Sequence, residues 1–218
     1  MTSTTALIVD DDPLVRGALA VFLTSAGIEV VDQAPDGRHA IAAARQLRPD
    51  VALVDVQMPG IDGVAATAGI IEQSPSTKVL AITTFGTIES VMPMLRAGAS
   101  GYLVKDTAPE DIVAAVHDVI AGNGVLSPRV TTSLIGSIRD ATTPVVEPLQ
   151  DYEVLSGREA EVVRLLAVGL SNSEIAAEMH VSEGTVKAHL GNVMTKWGVR
   201  DRVQVLIRAA RSGQVSFT

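Results

Sequence analysis

The chain contains no cysteine. This removes disulfides, thiolate metal sites, iron–sulfur clusters and a cysteine nucleophile, and suits a reducing compartment. Aromatic residues are scarce, with one Trp, two Tyr and three Phe among 218 residues. A core must therefore be assembled from Ala, Val, Leu and Ile, which favours helices packed on a parallel sheet over an all-β sandwich. Long apolar runs are missing as well. The longest stretch without Asp, Glu, Lys or Arg is residues 17–28, short of the roughly 20 apolar residues that a spanning helix needs. Residues 1–5 are polar and run straight into an apolar stretch at 6–9, so no export signal is expected. A soluble protein with no membrane partner is expected, and a cytoplasmic location agrees with the missing cysteines. No Gly-rich phosphate loop or Walker sequence occurs, which argues against ATP as a direct phosphate donor.

Basic charge is in short supply, but unevenly so. Residues 1–126 carry 7 basic against 15 acidic side chains, a net −8, whereas residues 152–218 carry 8 against 7, a net +1. The intervening residues 127–151 carry 2 against 3. An acidic first part joined to a weakly basic last part suggests two domains with different partners. Only the second tolerates a polyanion electrostatically.

The first part alternates short apolar β-branched runs with longer amphipathic stretches, the pattern of repeated βα units. Strands are expected at residues 6–9, 29–31, 51–54, 79–82 and 101–104, with helical crossovers between them. The fold class is thus α/β, a five-stranded parallel doubly wound domain over residues 1–126. Asp36 is placed to start a helix at Gly37, and Thr107 with Glu110 forms a capping-box pattern for the last helix, which Gly122 ends. Asp12 before Pro13 reads as a helix cap. Pro93 falls inside what should be the fourth helix, where it either kinks the helix or marks its first turn. His39 and His117 have no second ligand at metal spacing and read as surface or satisfied histidines.

Residues 127–150 contain Pro128, Pro144 and Pro148 and read as a linker, partly helical over 130–139. Residues 151–218 read as a small all-α domain of four short helices. Ser156 with Glu159 and Ser171 with Glu174 are capping-box patterns, and Gly169 ends the first helix. After a turn at 179–182, Val186, Leu190, Val193 and Trp197 line one face of the third helix, and Asp201 caps the fourth.

Doubly wound sheets place their chemistry at the carboxyl ends of the strands. Here these are Asp10, Asp11 and Asp12 after the first strand, Asp55 after the third, Thr83 after the fourth and Lys105 after the fifth. With the first and third strands adjacent, Asp11 and Asp55 approach closely and call for a cation between them. Oxygen ligands alone point to Mg²⁺. A carboxylate, a divalent cation, a hydroxyl and an ammonium converging on one point make a minimal phosphoryl-transfer site. Asp55 is the candidate nucleophile, Lys105 offsets phosphoryl charge and Thr83 donates a hydrogen bond. A phosphate-ester hydrolase with an aspartyl intermediate would need a second acid/base group, which the sequence does not supply.

Four strings carry a resemblance in order and spacing: Leu-Ile-Val-Asp-Asp-Asp-Pro (7–13), Asp-Val-Gln-Met-Pro-Gly-Ile-Asp-Gly (55–63), Ile-Thr-Thr-Phe (82–85) and Ala-Gly-Ala-Ser-Gly-Tyr-Leu-Val-Lys (97–105). Residues 5–122 resemble the receiver domain of two-component response regulators. The resemblance implies that a sensor histidine kinase phosphorylates Asp55. It further implies Mg²⁺ held by Asp11, Asp55 and the backbone carbonyl of Gln57, with Asp10 acting largely through water. Tyr102 would be the aromatic that turns inward when Thr83 moves toward the phosphoryl group.

In the last part, two short helices joined by a tight turn match a helix-turn-helix. Opposite the apolar stripe of the third helix lie Gly184, Ala188, Gly191 and Thr195, flanked by Lys187 and Asn192. Small residues such as Ala188 allow close entry into a major groove. Lys187 can reach a guanine edge or a phosphate, Asn192 an adenine edge, and Thr185, His189 and Lys196 the phosphates. Residues 155–202, with Gly-Leu-Ser-Asn-Ser-Glu-Ile-Ala (169–176) and Val-Ser-Glu-Gly-Thr-Val-Lys-Ala-His (181–189), resemble a LuxR-type DNA-binding domain. The whole chain is similar to response regulators of the NarL/FixJ type. That resemblance implies a promoter-binding transcription factor, not an enzyme, that forms a homodimer on phosphorylation or DNA binding through the fourth helix. Gly191 and Trp197 depart from the family pattern, the second as a change in core packing.

Overall fold

The structure is a computed structural model that describes residues 3–84, 88–125, 149–150 and 153–214, with backbone alone at 88–90. The chain divides into two compact units, Met1–Val125 and Leu126–Thr218.

The first unit is a parallel sheet of β1 (Thr5–Val9), β2 (Glu29–Ala34), β3 (Val51–Asp55), β4 (Lys78–Thr83) and β5 (Gly101–Val104), in the order β2-β1-β3-β4-β5. Between the strands run α1 (Pro13–Ser25), α2 (Gly37–Leu47), α3 (Gly63–Gln73), α4 (Ile88–Arg96) and, last, α5 (Pro109–Ile120). Every residue of β3 is buried, as expected of a central strand covered on both faces. Alternate residues of the sheet, among them Ala6, Ile8, Val51, Leu53, Leu80 and Ile82, share a core with Leu19 and Leu23 of α1 and Ile112, Val116 and Val119 of α5. Small residues allow the helices to pack closely on each other: a Cβ at Gly69 of α3 would meet Ile41 Cδ1 of α2 at 2.5 Å.

β5 spans the expected residues, but the other four strands run one to three residues further than hydrophobicity alone suggests, because parallel pairing continues through polar positions. β2 stays paired to β1 up to Val9 and Ala34, and Asp55 pairs with Ile82 as the last residue of β3. The start of α5 differs from the expectation too. Its N-cap is Ala108, which makes no side-chain cap, so Thr107 and Glu110 form no capping box. Pro109 at the first helical position explains this, since it disfavours helical backbone at the residue before it and presets its own φ. Glu110 and Asp111 instead favour the positive end of the helix dipole. Pro93 lies well inside α4, not at its first turn.

The second unit consists of α6 (Gly157–Ala167), α7 (Asn172–Met179), α8 (Glu183–Trp197) and α9 (Arg202–Arg211). Both capping boxes form as the sequence predicts, at Ser156/Glu159 and Ser171/Glu174, and Asp201 caps α9 through the amides of Val203 and Gln204. α7 and α8 are joined through His180, whose φ of 56° is the left-handed conformation of a helix C-cap. Val186, Leu190, Val193 and Trp197 are the buried residues of α8. The Trp197 indole donates to Glu153 O at 2.9 Å, so the tryptophan fills the core and also ties down the segment before α6. The helix expected at 130–139 and most of the linker lie outside the described residues. Among the described residues, no helix is long and apolar enough to cross a membrane.

Candidate functional site

Register places the acidic residues. β1 and β3 are neighbours with Val9 opposite Val54, so the next residue on each chain, Asp10 and Asp55, emerges side by side at the carboxyl edge of the sheet. Both are buried, while Asp11 is exposed. Carboxylate oxygens of Asp10, Asp11 and Asp55 all lie within 4.8 Å of one another. Lys105, just past β5, reaches into this cluster. Its Nζ is 2.6 Å from Asp10 Oδ2 and 3.0 Å from Asp55 Oδ2. The Lys105 amide donates to Thr83 O at 2.7 Å, which anchors the lysine to the buried last residue of β4.

The electrostatics follow from burial. Asp55 is pushed above the usual carboxylate range by burial, and the Lys105 ammonium and the Gln57 amide only partly offset this. Lys105 is raised as well: burial acts to lower it, but its contacts with Asp10 and Asp55 outweigh that. The ammonium therefore remains charged, a fixed cation on two buried carboxylates. Three carboxylates that supply only oxygen suit a hard divalent cation.

The sequence-predicted residues occupy distinct positions. Asp12 caps α1 through the Leu14 amide, at 2.8 Å. Gln57 is exposed and turns its amide toward Asp55. Tyr102 lies on β5 opposite Ala81; its hydroxyl is buried without a hydrogen-bond partner among the described residues. Burial and then the nearby Asp106 raise its pKa. His39 meets Asp32 at 2.9 Å, and His117 is an exposed residue of the last turn of α5.

Two residues at the site carried no signal in the periodicity. Gly63 starts α3 against the end of β3, where a Cβ would overlap the carbonyl oxygen of Asp55; glycine allows the two backbones to touch. Arg16 of α1 donates to Asp10 O at 2.6 Å.

In the second unit, Gly184, Lys187, Ala188, Asn192 and Thr195 are exposed on α8, opposite the buried stripe, while Thr185 and His189 are half-buried. The Thr185 amide and hydroxyl meet the hydroxyl of the N-cap Ser182. Lys196, expected to face a phosphate, is engaged inside the unit: its Nζ is 2.6 Å from Glu159 Oε2 and donates to Val154 O at 3.3 Å. Glu159 is buried in the first turn of α6 and needs that countercharge.

Comparison with known proteins matches both units. Residues 6–117 match the response regulator receiver domain, and residues 153–209 match the luxR family of bacterial regulatory proteins. The transcriptional regulatory protein LnrK of Bacillus subtilis is 38% identical over 216 residues, which cover 97% of this chain and 98% of LnrK. The response regulator protein VraR of Staphylococcus aureus is 38% identical over 204 residues, 93% of this chain and 94% of VraR. Among solved structures, the response regulator ChrA of a heme-sensing two-component system is 33% identical with a TM-score of 0.52, covering 99% of this chain and all of ChrA. The receiver domain of NarL from Mycobacterium tuberculosis is 35% identical with a TM-score of 0.54, over 56% of this chain and 99% of that domain.

Proposed function

The chain belongs to the response regulators that join a receiver domain to a LuxR-type DNA-binding domain, transcription factors and not enzymes; from that premise we propose that a sensor histidine kinase phosphorylates Asp55 and so switches promoter binding. The observation that carries this reading is Lys105 Nζ seated on both Asp10 and Asp55 at the carboxyl edge of the sheet.

In the transfer, an Asp55 carboxylate oxygen attacks the phosphorus of a phosphohistidine. The P–N bond breaks as the new P–O bond forms, its electron pair stays on the ring nitrogen, and that nitrogen takes a proton from solvent so that the histidine leaves as neutral imidazole. Lys105 is held in place by Thr83 O and pairs with a phosphoryl oxygen as Asp55 loses its own charge. Thr83 supplies a hydroxyl at the end of the adjacent strand, where it can donate to a second oxygen. Asp11, Asp55 and the Gln57 carbonyl are the ligands for Mg²⁺, with Asp10 close by; the bound ion would offset charge on the transferring phosphoryl group. Tyr102 has a buried hydroxyl to re-pair and serves as the aromatic switch.

The DNA-binding unit presents Lys187, Ala188 and Asn192 to the major groove, with Thr185 and His189 at its edge. Phosphorylation promotes dimerisation, which pairs two such helices on two half-sites in the cytoplasm. To invert a population from 1:99 to 99:1, phosphorylation must favour the active state by roughly 5.5 kcal/mol. The reading is tested with DNA fragments selected from a random pool by the acyl-phosphate-treated protein. Treated wild type should bind them more tightly than untreated, and Asp55→Ala should gain nothing. Equal affinity before and after phosphorylation would refute the switch.

A further inference from the structure

The backbone carbonyl of Asp10 is held by a guanidinium that the reading above leaves without a role. Arg16, in the second turn of α1, reaches back six residues and donates from Nη1 to Asp10 O at 2.6 Å. The other polar groups of Asp10 are engaged as well. Its amide donates to Ala34 O at 3.2 Å, Oδ1 accepts from the Asp12 amide at 2.9 Å, and Oδ2 meets Lys105. Asp12 in turn caps the helix that carries Arg16. The acidic loop 10–12 is thus tied at one side to β2, at the other to α1, and at its carboxylate to Lys105.

Such a tie is needed because the three carboxylates of the cluster repel one another. A short loop bearing two of them relaxes outward unless its backbone is fixed. A cationic donor on a half-buried carbonyl makes a stronger hydrogen bond than a neutral one. We propose that Arg16 is a positioning residue of the phosphoryl-transfer site: by holding the Asp10 carbonyl it orients the Asp10 and Asp11 carboxylates toward Asp55, ready for a divalent cation. The proposal rests on the reading of the site given under Proposed function.

The full-length protein is compared with Arg16→Ala, Arg16→Gln and Arg16→Lys. Mg²⁺ is titrated while the amides of Asp11 and Asp12 are followed by NMR, phosphorylation by a small acyl phosphate is timed over the same Mg²⁺ range, and thermal melting checks the fold. Arg16→Ala and Arg16→Gln should raise the Mg²⁺ midpoint about tenfold and slow phosphorylation most at low Mg²⁺, with the rate recovering at saturation. Arg16→Lys, which keeps the charge, should restore part of the loss. A lower Tm with an unmoved midpoint would reduce Arg16 to a structural residue and overturn the proposal. A tighter midpoint in Arg16→Ala would overturn it too, since that is the result if the guanidinium merely repels the cation. Should Arg16→Ala fail to fold, Arg16→Gln keeps the packing of the stem and decides by the same comparison. Wild type that neither responds to Mg²⁺ nor accepts a phosphoryl group would instead strike the underlying reading of the site, and this inference with it.

Discussion

Lys105 sits closer to Asp10 than to Asp55, at 2.6 Å against 3.0 Å. On the reading proposed above, the lysine neutralises a residue other than the phosphoacceptor, and would stay charged and in place when Asp55 loses its charge to a phosphoryl group. Two buried carboxylates depend on this single ammonium. Lys105→Ala should destabilise the receiver unit by about 3 kcal/mol in chelator, as expected when one partner of a buried ionic cluster is removed. Mg²⁺ should recover part of the loss. Thermal melts with and without Mg²⁺ check this, and an unchanged Tm in chelator would show that the cluster is neutralised by other means.

Lys187 and Lys196 occupy the same helix, yet their surroundings differ. Lys187 is exposed, whereas Lys196 is paired with Glu159. Lys187→Ala should weaken DNA binding and reduce its salt dependence by about one ion, with little effect on stability. Lys196→Ala should instead lower the stability of the second unit by about 1–2 kcal/mol, because it leaves Glu159 buried without its cation. Binding isotherms at several salt concentrations beside melting curves separate the two. Equal salt slopes lost by both variants would return Lys196 to the DNA surface.

The pattern of what sequence could show follows from the physics of each feature. The order of strands and helices was legible because buried strands are continuously apolar and helices carry an apolar stripe. Capping boxes at Ser156 and Ser171 were legible because both partners sit three residues apart. The pair of Thr107 and Glu110 has the same spacing, but Pro109 between them moved the helix start. Lys196 looked like any other cation on a helix face, since its partner Glu159 lies 37 residues away and only tertiary packing brings them together. Arg16 and the contact of Gly63 with Asp55 are local in sequence, but both meet backbone carbonyls of Asp10 and Asp55, and no residue pattern marks a backbone acceptor. Asp10, Asp11, Asp55, Thr83 and Lys105 were readable together because each lies at or just past the carboxyl end of a strand.

Acid should weaken the second unit in a defined direction. Glu153 is held below the ordinary value of 4.5 by the Gln150 amide and then Arg208. In Glu159, burial acts to raise the pKa, but Lys196 and Ser156 outweigh it; in Glu174, the Ser171 hydroxyl and amide lower it. A carboxylate with a depressed folded pKa binds fewer protons folded than unfolded. Its contribution is therefore complete above the unfolded value near 4.5 and is lost as pH falls through the folded value. Trp197, the one tryptophan in the chain and buried in this unit, reports the transition. Urea midpoints from its fluorescence should hold steady above about pH 5 and decline below. A midpoint that rises on acidification would contradict the assignment.

The central claim is that Asp55 accepts a phosphoryl group. Intact-mass analysis of the protein with Mg²⁺ and a small acyl-phosphate donor, beside Asp55→Ala and alongside incubation with a phosphorylated histidine-kinase preparation, tests it most directly. The account predicts a single phosphoryl increment on wild type and none on Asp55→Ala. An increment that persists in Asp55→Ala, or wild type that stays unmodified by either donor while folded, would contradict it.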